Sequence, residues 1–241
     1  MKGKSALPDS GPPARTGDVK LDLILAAEKC FALLGFASTS LKIIQDEAGQ
    51  RNASAIHYHF GSREGLIRAV LDYRMPSLDA RRVAMMESAR KLGDPALREI
   101  VGIWISPLAE ELRPRPTGNY YLRFLEQIRH SKVDYLSEQV IRLQSGYASI
   151  FDMIYKCMPP LPTRLLQSRL AIGAELLIYG LSRLEAELPA TSYQAEQFPS
   201  VAIANLADFI TGGLTAPAVG KALDSAVGHQ PNFHFTFYPN P

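Results

Sequence analysis

From Asp18 onward, apolar residues return every three or four positions, the spacing of one buried helical face. Ile24, Ala27, Phe31 and Leu34 form a first stripe, opened by Asp18 as N-cap and stopped by Gly35, which supplies a left-handed residue. In STSLKIIQDEAG, Thr39 or Ser40 caps a second helix of about two to three turns, with Leu41, Ile44 and Ala48 on one face and Gly49 at its end. After the turn QRN, Asn52 caps a third short helix in ASAIHYHF, where Ile56 and Phe60, four apart, face inward. Gly61 and Ser62 break and recap the chain. REGLIRAVLDYRM then predicts a fourth helix, with Leu66, Ile67, Val70 and Leu71 apolar, that Pro76 closes.

Helical periodicity continues over residues 77–92, 95–112, 118–130, 133–158, 162–188 and 197–211, with breaks at Gly93, Pro114–Pro116 and Pro159–Pro160. No run reads as a strand. The expected fold is all-α: an N-terminal three-helix domain with a helix-turn-helix over residues 39–59, followed by a C-terminal helical bundle. Residues 18–75 form the first domain and 76–213 the second. Residues 1–17 have the Pro, Gly and Ser content of a mobile tail, and 214–241 form a second tail of little periodicity. In 162–188, Leu166, Leu170, Gly173, Leu177, Leu181, Leu184 and Leu188 make one long stripe, while Ile172 and Leu176 lie to its side, so this helix is expected to meet more than one surface. In 197–211, Ile203, Leu206, Ala207 and Ile210 precede Gly212–Gly213, which is expected to end the helix.

Composition adds little that pattern does not. Nearly half of the 241 residues are apolar, enough for a sizeable core. The net charge of +2 resides in residues 1–75, which hold ten Lys and Arg against eight Asp and Glu, so the mild positive balance sits with the three-helix segment. Cys30 and Cys157 both fall in amphipathic helix and are expected to be reduced and buried in a cytoplasmic protein. The most apolar stretch, LAIGAELLIYGL, contains Glu175 and is flanked by Arg169 and Arg183, so no membrane span is expected.

The stretch AGQRNASAIHYHFGSREG, residues 48–65, carries the candidate chemistry. A metal site is disfavoured because His57 and His59 are two apart, which turns their side chains by about 200 degrees on a helix, and no third ligand stands nearby. A Cys30–His57 nucleophile pair would place its sulfur beside the core stripe of the first helix. No acyl-transfer or nucleotide-binding signature occurs elsewhere, so no catalytic residue, cofactor or metal is expected. A helix-turn-helix fits: residues 39–48 brace and 53–60 present Ser54, Ala55, His57 and Tyr58 away from the Ile56/Phe60 face, where small and polar groups can meet base edges. Thr39, Ser40, Tyr58, His59 and Arg63 lie nearer phosphates, and Arg51 and Asn52 sit in the turn between them.

Residues 20–71 resemble the N-terminal domain of the tetracycline-repressor (TetR) family. LILAAEKCFALLGFASTSLKIIQDEAG is similar to the family at its Ala, Phe, Gly-aromatic, Thr-Ser, Ile and Ala-Gly positions, and YHFGSREGLIRAVL at its His-Phe, small turn, basic-acidic pair and Leu. The turn QRNAS is one residue longer than the family's usual Val-Ser turn, and His57 falls where a tyrosine is common, so the resemblance leaves open whether His57 or Tyr58 makes the family's phosphate contact. Arg63 stands at its usual lysine.

The resemblance implies a homodimer that binds a palindromic double-stranded DNA operator, acts as a repressor and is released by a small-molecule effector. It places dimerisation on the last two long helices, with Leu170, Gly173, Leu177, Leu181, Leu184, Ile203, Leu206 and Ile210 as interface candidates; the same stripes would also serve an intramolecular bundle. Apolar and aromatic residues between 77 and 158, namely Met85, Trp104, Tyr120, Tyr121, Phe124, Phe151, Tyr155 and Met158, are the effector-pocket candidates, and core packing accounts for each equally well. The alternatives are a helical small-molecule-binding protein without DNA binding and, more remotely, an enzyme.

Overall fold

A computed structural model of the chain describes residues 16–52, 54–130, 146–158, 161–189 and 198–217. Among the described residues there is no strand. The helices are α1 (Val19–Ser38), α2 (Leu41–Glu47), α3 (Ala55–Phe60), α4 (Arg63–Leu92), α5 (Leu97–Ala109) with a 3-10 turn at Glu110–Leu112, α6 (Tyr121–Arg129), α7 (Gly146–Cys157), α8 (Thr163–Glu187) and α9 (Ser200–Thr215). The expectations for residues 1–15, 133–145 and 218–241 lie outside the described residues.

Local chemistry sets the early boundaries. The Asp18 carboxylate accepts the N–H groups of Lys20 and Leu21 and opens α1. Gly35, at φ 75° and ψ 167°, breaks it, and only a short turn follows to Ser38. Ser40 Oγ accepts from Ile43 N–H at the start of α2, and Gly49, at φ 63°, lets the chain leave it. Two expected boundaries are absent. Pro76 does not end the fourth helix: α4 runs through it to Leu92, with the proline on an exposed side of the helix. Gly212 and Gly213 are likewise absorbed into α9, which continues to Thr215.

The chain divides into two compact units. The first comprises residues up to Pro76, Glu111–Tyr135 and Ser182–Phe198. Its centre is α1 against α6, where Phe124 packs on Phe31 and Phe36 with ring centroids 6.2 Å apart in each pair. Arg74 grips Glu28 of α1 through Nε (2.7 Å) and Nη2 (2.8 Å), and its Nη1 lies 3.6 Å from Glu111, which also holds Arg115. Burial, the largest single influence, would lower the Arg74 pKa, but the charge and hydrogen bonds of Glu28, joined by Glu111 and Tyr73, together outweigh it and hold the guanidinium above its usual range. Glu185 caps α6, accepting the N–H groups of Leu122 and Arg123 at 3.0 Å each and Arg123 Nε at 3.1 Å. Burial pushes this carboxyl up to about 7 against the pull of those donors.

The second unit comprises Ser77–Glu110, Leu136–Leu181 and residues from Pro199. Trp104 of α5 meets Phe151 of α7 edge-on at 5.7 Å. Gly173 lets α8 approach closely: a Cβ there would stand 3.4 Å from Ile210 and 3.5 Å from Trp104. Leu170, Leu177, Leu181 and Ile210 are buried within the chain itself. The outward face of α8 and α9 instead carries Ile172, Tyr179, Val201 and Phe209, the last 68% exposed.

Candidate nucleic-acid interface

Helices α2 and α3 are held as a rigid pair from beneath. Ile44, Ala48 and Ile56 are buried as the spacing predicted, and Phe60 is half-buried; Leu41, expected on the inward face of α2, is exposed, and Ala55, expected to face outward, is buried. Across the turn, Gln45 Nε2 donates to the Asn52 carbonyl at 3.3 Å and Gln50 N–H donates to the Gln45 carbonyl at 2.9 Å. The Asn52 side chain accepts Ser54 N–H at 2.9 Å and shapes the turn into α3, but the N-cap position itself is Ser54, not the expected Asn52, and makes no side-chain cap bond. Lys29 and Glu47 form a buried ion pair at 2.7 Å that pins α2 to α1. Ala53 lies outside the described residues.

This leaves one polar surface facing outward. Arg51, Asn52, Ser54 and His57 are exposed, and Tyr58 is 84% exposed despite being aromatic. His59 is half-buried, its ring 5.0 Å from Tyr58 and 5.9 Å from Phe60. His57 and His59 thus face different surroundings, and no group of three or more metal-ligating side chains occurs among the described residues. Ser40 stays exposed beside its cap.

Three other candidates are built into the domain. Thr39 is buried, its hydroxyl shared between the carbonyls of Gly35 (2.7 Å) and Cys30 (3.1 Å), where it fixes the α1–α2 corner. Ala55 is buried under α3. Arg63 donates to the Phe36 carbonyl and lies over the Phe31 ring at 5.3 Å, tying the start of α4 to the end of α1. At the same junction, a Cβ on Gly65 would fall 2.0 Å from the Phe60 carbonyl oxygen, so the α3–α4 turn requires glycine there. Burial pushes the Cys30 thiol up to about 12, with Glu47 adding to the shift, which leaves it inert. Cys157, expected to be buried, is exposed as the last residue of α7.

The effector-pocket candidates separate. Tyr120, Tyr121 and Phe124 belong to the first unit: Tyr121 lies beneath Arg74 at 5.8 Å, and Lys29 of α1 sits over Tyr120 at the same distance. Met85, Trp104, Phe151, Tyr155 and Met158 belong to the second. Of the interface candidates, Leu184, Ile203 and Leu206 are half-buried.

A braced helix pair that offers hydroxyl, phenol, imidazole, amide and guanidinium groups on one face has the donors that base edges and phosphates accept. That geometry defines a helix-turn-helix DNA-binding domain. Residues 23–70 match the family model of bacterial regulatory proteins of the tetR family, which makes this segment similar to that family's DNA-binding domain. No curated protein matches the chain. No helix among the described residues is long and apolar enough to cross a membrane.

Proposed function

We propose that the protein is a cytoplasmic homodimeric repressor that grips a palindromic operator through α3 and lets go when a small molecule occupies the second unit. The observation that carries this reading is Tyr58: a large aromatic side chain held out in water beside Ser54 and His57, on a helix anchored from below by Ala55 and Ile56. Ser54 and His57 read bases, while Arg51, Asn52, Ser40, Tyr58 and His59 meet phosphates; Thr39, Ala55 and Arg63 act by positioning them.

Dimerisation is assigned to the outward apolar face of Ile172, Tyr179, Val201 and Phe209, since the deeper stripe is already occupied by the chain's own core. Two copies placing their recognition helices about 34 Å apart meet successive major grooves, and an effector that favours another spacing weakens binding. Sequencing of DNA recovered with the crosslinked protein tests the reading. One inverted-repeat motif is the expected result; fragments without a shared motif contradict it.

A further inference from the structure

Arg82 is the anomaly of the second unit. It is 1% exposed, on the buried stripe of α4 between Leu78 and Met86, and neither its Nε nor its Nη2 finds a hydrogen-bond partner among the described residues. The Tyr147 ring of α7 covers one face of the guanidinium at 4.1 Å. The nearest carboxylate on its own helix, Asp79, turns to the first N–H of α7, accepting from Gly146 at 3.1 Å. A guanidinium cannot shed its proton near neutral pH, so a buried one with an open edge calls for an anion.

The open edge has a counterpart in the same helix. Arg74 uses the same two atoms, Nε and Nη2, to clamp both oxygens of Glu28 at 2.7 and 2.8 Å. Arg82 therefore presents, unfilled, the fork that Arg74 presents filled. That fork matches two coplanar oxygens of a carboxylate. The ring over its face continues into a row, Tyr147 stacked on Phe151 at 6.2 Å and Phe151 meeting Trp104 edge-on at 5.7 Å, suited to an apolar or aryl body.

We propose that the second unit binds a small organic acid, its carboxylate clamped by Nε and Nη2 of Arg82 and its apolar body lying along Tyr147. The regulatory consequence rests on the effector-release reading above; the binding itself does not.

Calorimetric titration of the full chain without DNA tests the site, using acetate, butyrate and benzoate, with benzamide as the neutral analogue of benzoate and with phosphate and chloride at matched ionic strength. At least one carboxylate is expected to bind and benzamide is not. Arg82→Met should abolish that binding and Arg82→Lys weaken it by about tenfold or more, because the lysine keeps charge but not the fork.

Thermal unfolding supplies a second readout. Without carboxylate, Arg82→Met should melt no lower than the unsubstituted protein, since an uncompensated charge has gone. A fall of about 5 °C or more would show that another part of the chain already pairs Arg82 and would overturn the site. Equal binding of benzamide, tighter binding of phosphate or chloride, or binding by none of the three acids also overturns it. Carboxylate binding that leaves operator affinity unchanged sustains the site and refutes only the effector-release reading.

Discussion

Removing the Arg74 guanidinium isolates the contribution of one buried contact to the DNA-binding unit. Arg74 is 3% exposed and Glu28 is 1% exposed; their two hydrogen bonds, 2.7 and 2.8 Å long, join α4 to α1 beneath the helix-turn-helix. Arg74→Met keeps most of the side-chain volume but strands the Glu28 carboxylate in a dry site and removes one of two cations beside Glu111, which keeps Arg115 at 2.6 Å. Breaking such a pair from one side costs about 3–5 kcal/mol. With a urea dependence of about 2–3 kcal/mol per molar for a chain of this size, the midpoint followed by far-UV circular dichroism should fall by about 1–2 M. Replacing both partners, Glu28→Leu with Arg74→Met, leaves no unpaired charge and should recover most of the loss, giving a coupling of at least about 2 kcal/mol in the double-mutant cycle. A single-variant midpoint within about 0.3 M of the starting protein would refute the reasoning, as would a double variant less stable than the single.

The Glu185 carboxyl, raised from 4.5 to about 7, binds its proton more tightly in the folded chain than in the unfolded one. Its contribution is therefore complete below about pH 4.5 and is lost as pH rises to about 7, on the order of 3 kcal/mol in all. Urea midpoints across that range should decline less steeply for Glu185→Gln, which keeps a neutral acceptor at the start of α6; parallel declines would contradict the assignment. Phe209→Glu places a charge on the outward face of α9 and should convert a dimer to monomer in sedimentation velocity without loss of helix content, whereas an unchanged dimer would move the interface elsewhere.

Where the chain's own short-range chemistry decides, structure was legible in advance. Asp18, Gly35, Ser40, Gly49 and Gly61 delimit the first three helices through caps and positive φ, and the Ile44 and Ile56 faces follow from spacing. Pro76, Gly212 and Gly213 were misleading because a helix breaker on an exposed side is tolerated when neighbouring turns are well packed. Periodicity also cannot tell which partner a stripe meets. Leu170, Leu177 and Leu181 read as an interface yet face the chain's own interior, and the exposed Ile172 lies to the side. Tyr120 and Tyr121 read as pocket walls but pack within the first unit, against Lys29 and Arg74, a tertiary choice that no local signal encodes. Thr39 and Arg63 look like surface polar groups in sequence, and only the fold reveals the carbonyls they hold. Arg82 had one available signal: in Met75, Leu78, Arg82, Met86 and Ala89 it occupies an apolar position of a helical stripe, where an arginine has no ordinary reason to stand.

The central claim is that the outward surface of α3 and its preceding turn touches duplex DNA. Fluorescence-anisotropy titrations of the recovered operator, run across salt concentrations for Arg51→Ala, Tyr58→Ala and Ser54→Ala, test it most directly. Arg51→Ala should weaken binding to every sequence and lower the salt slope by about one. Tyr58→Ala should weaken binding uniformly, and Ser54→Ala should change which base is preferred in each half-site. Affinity, slope and preference all unchanged in the three variants would contradict the account.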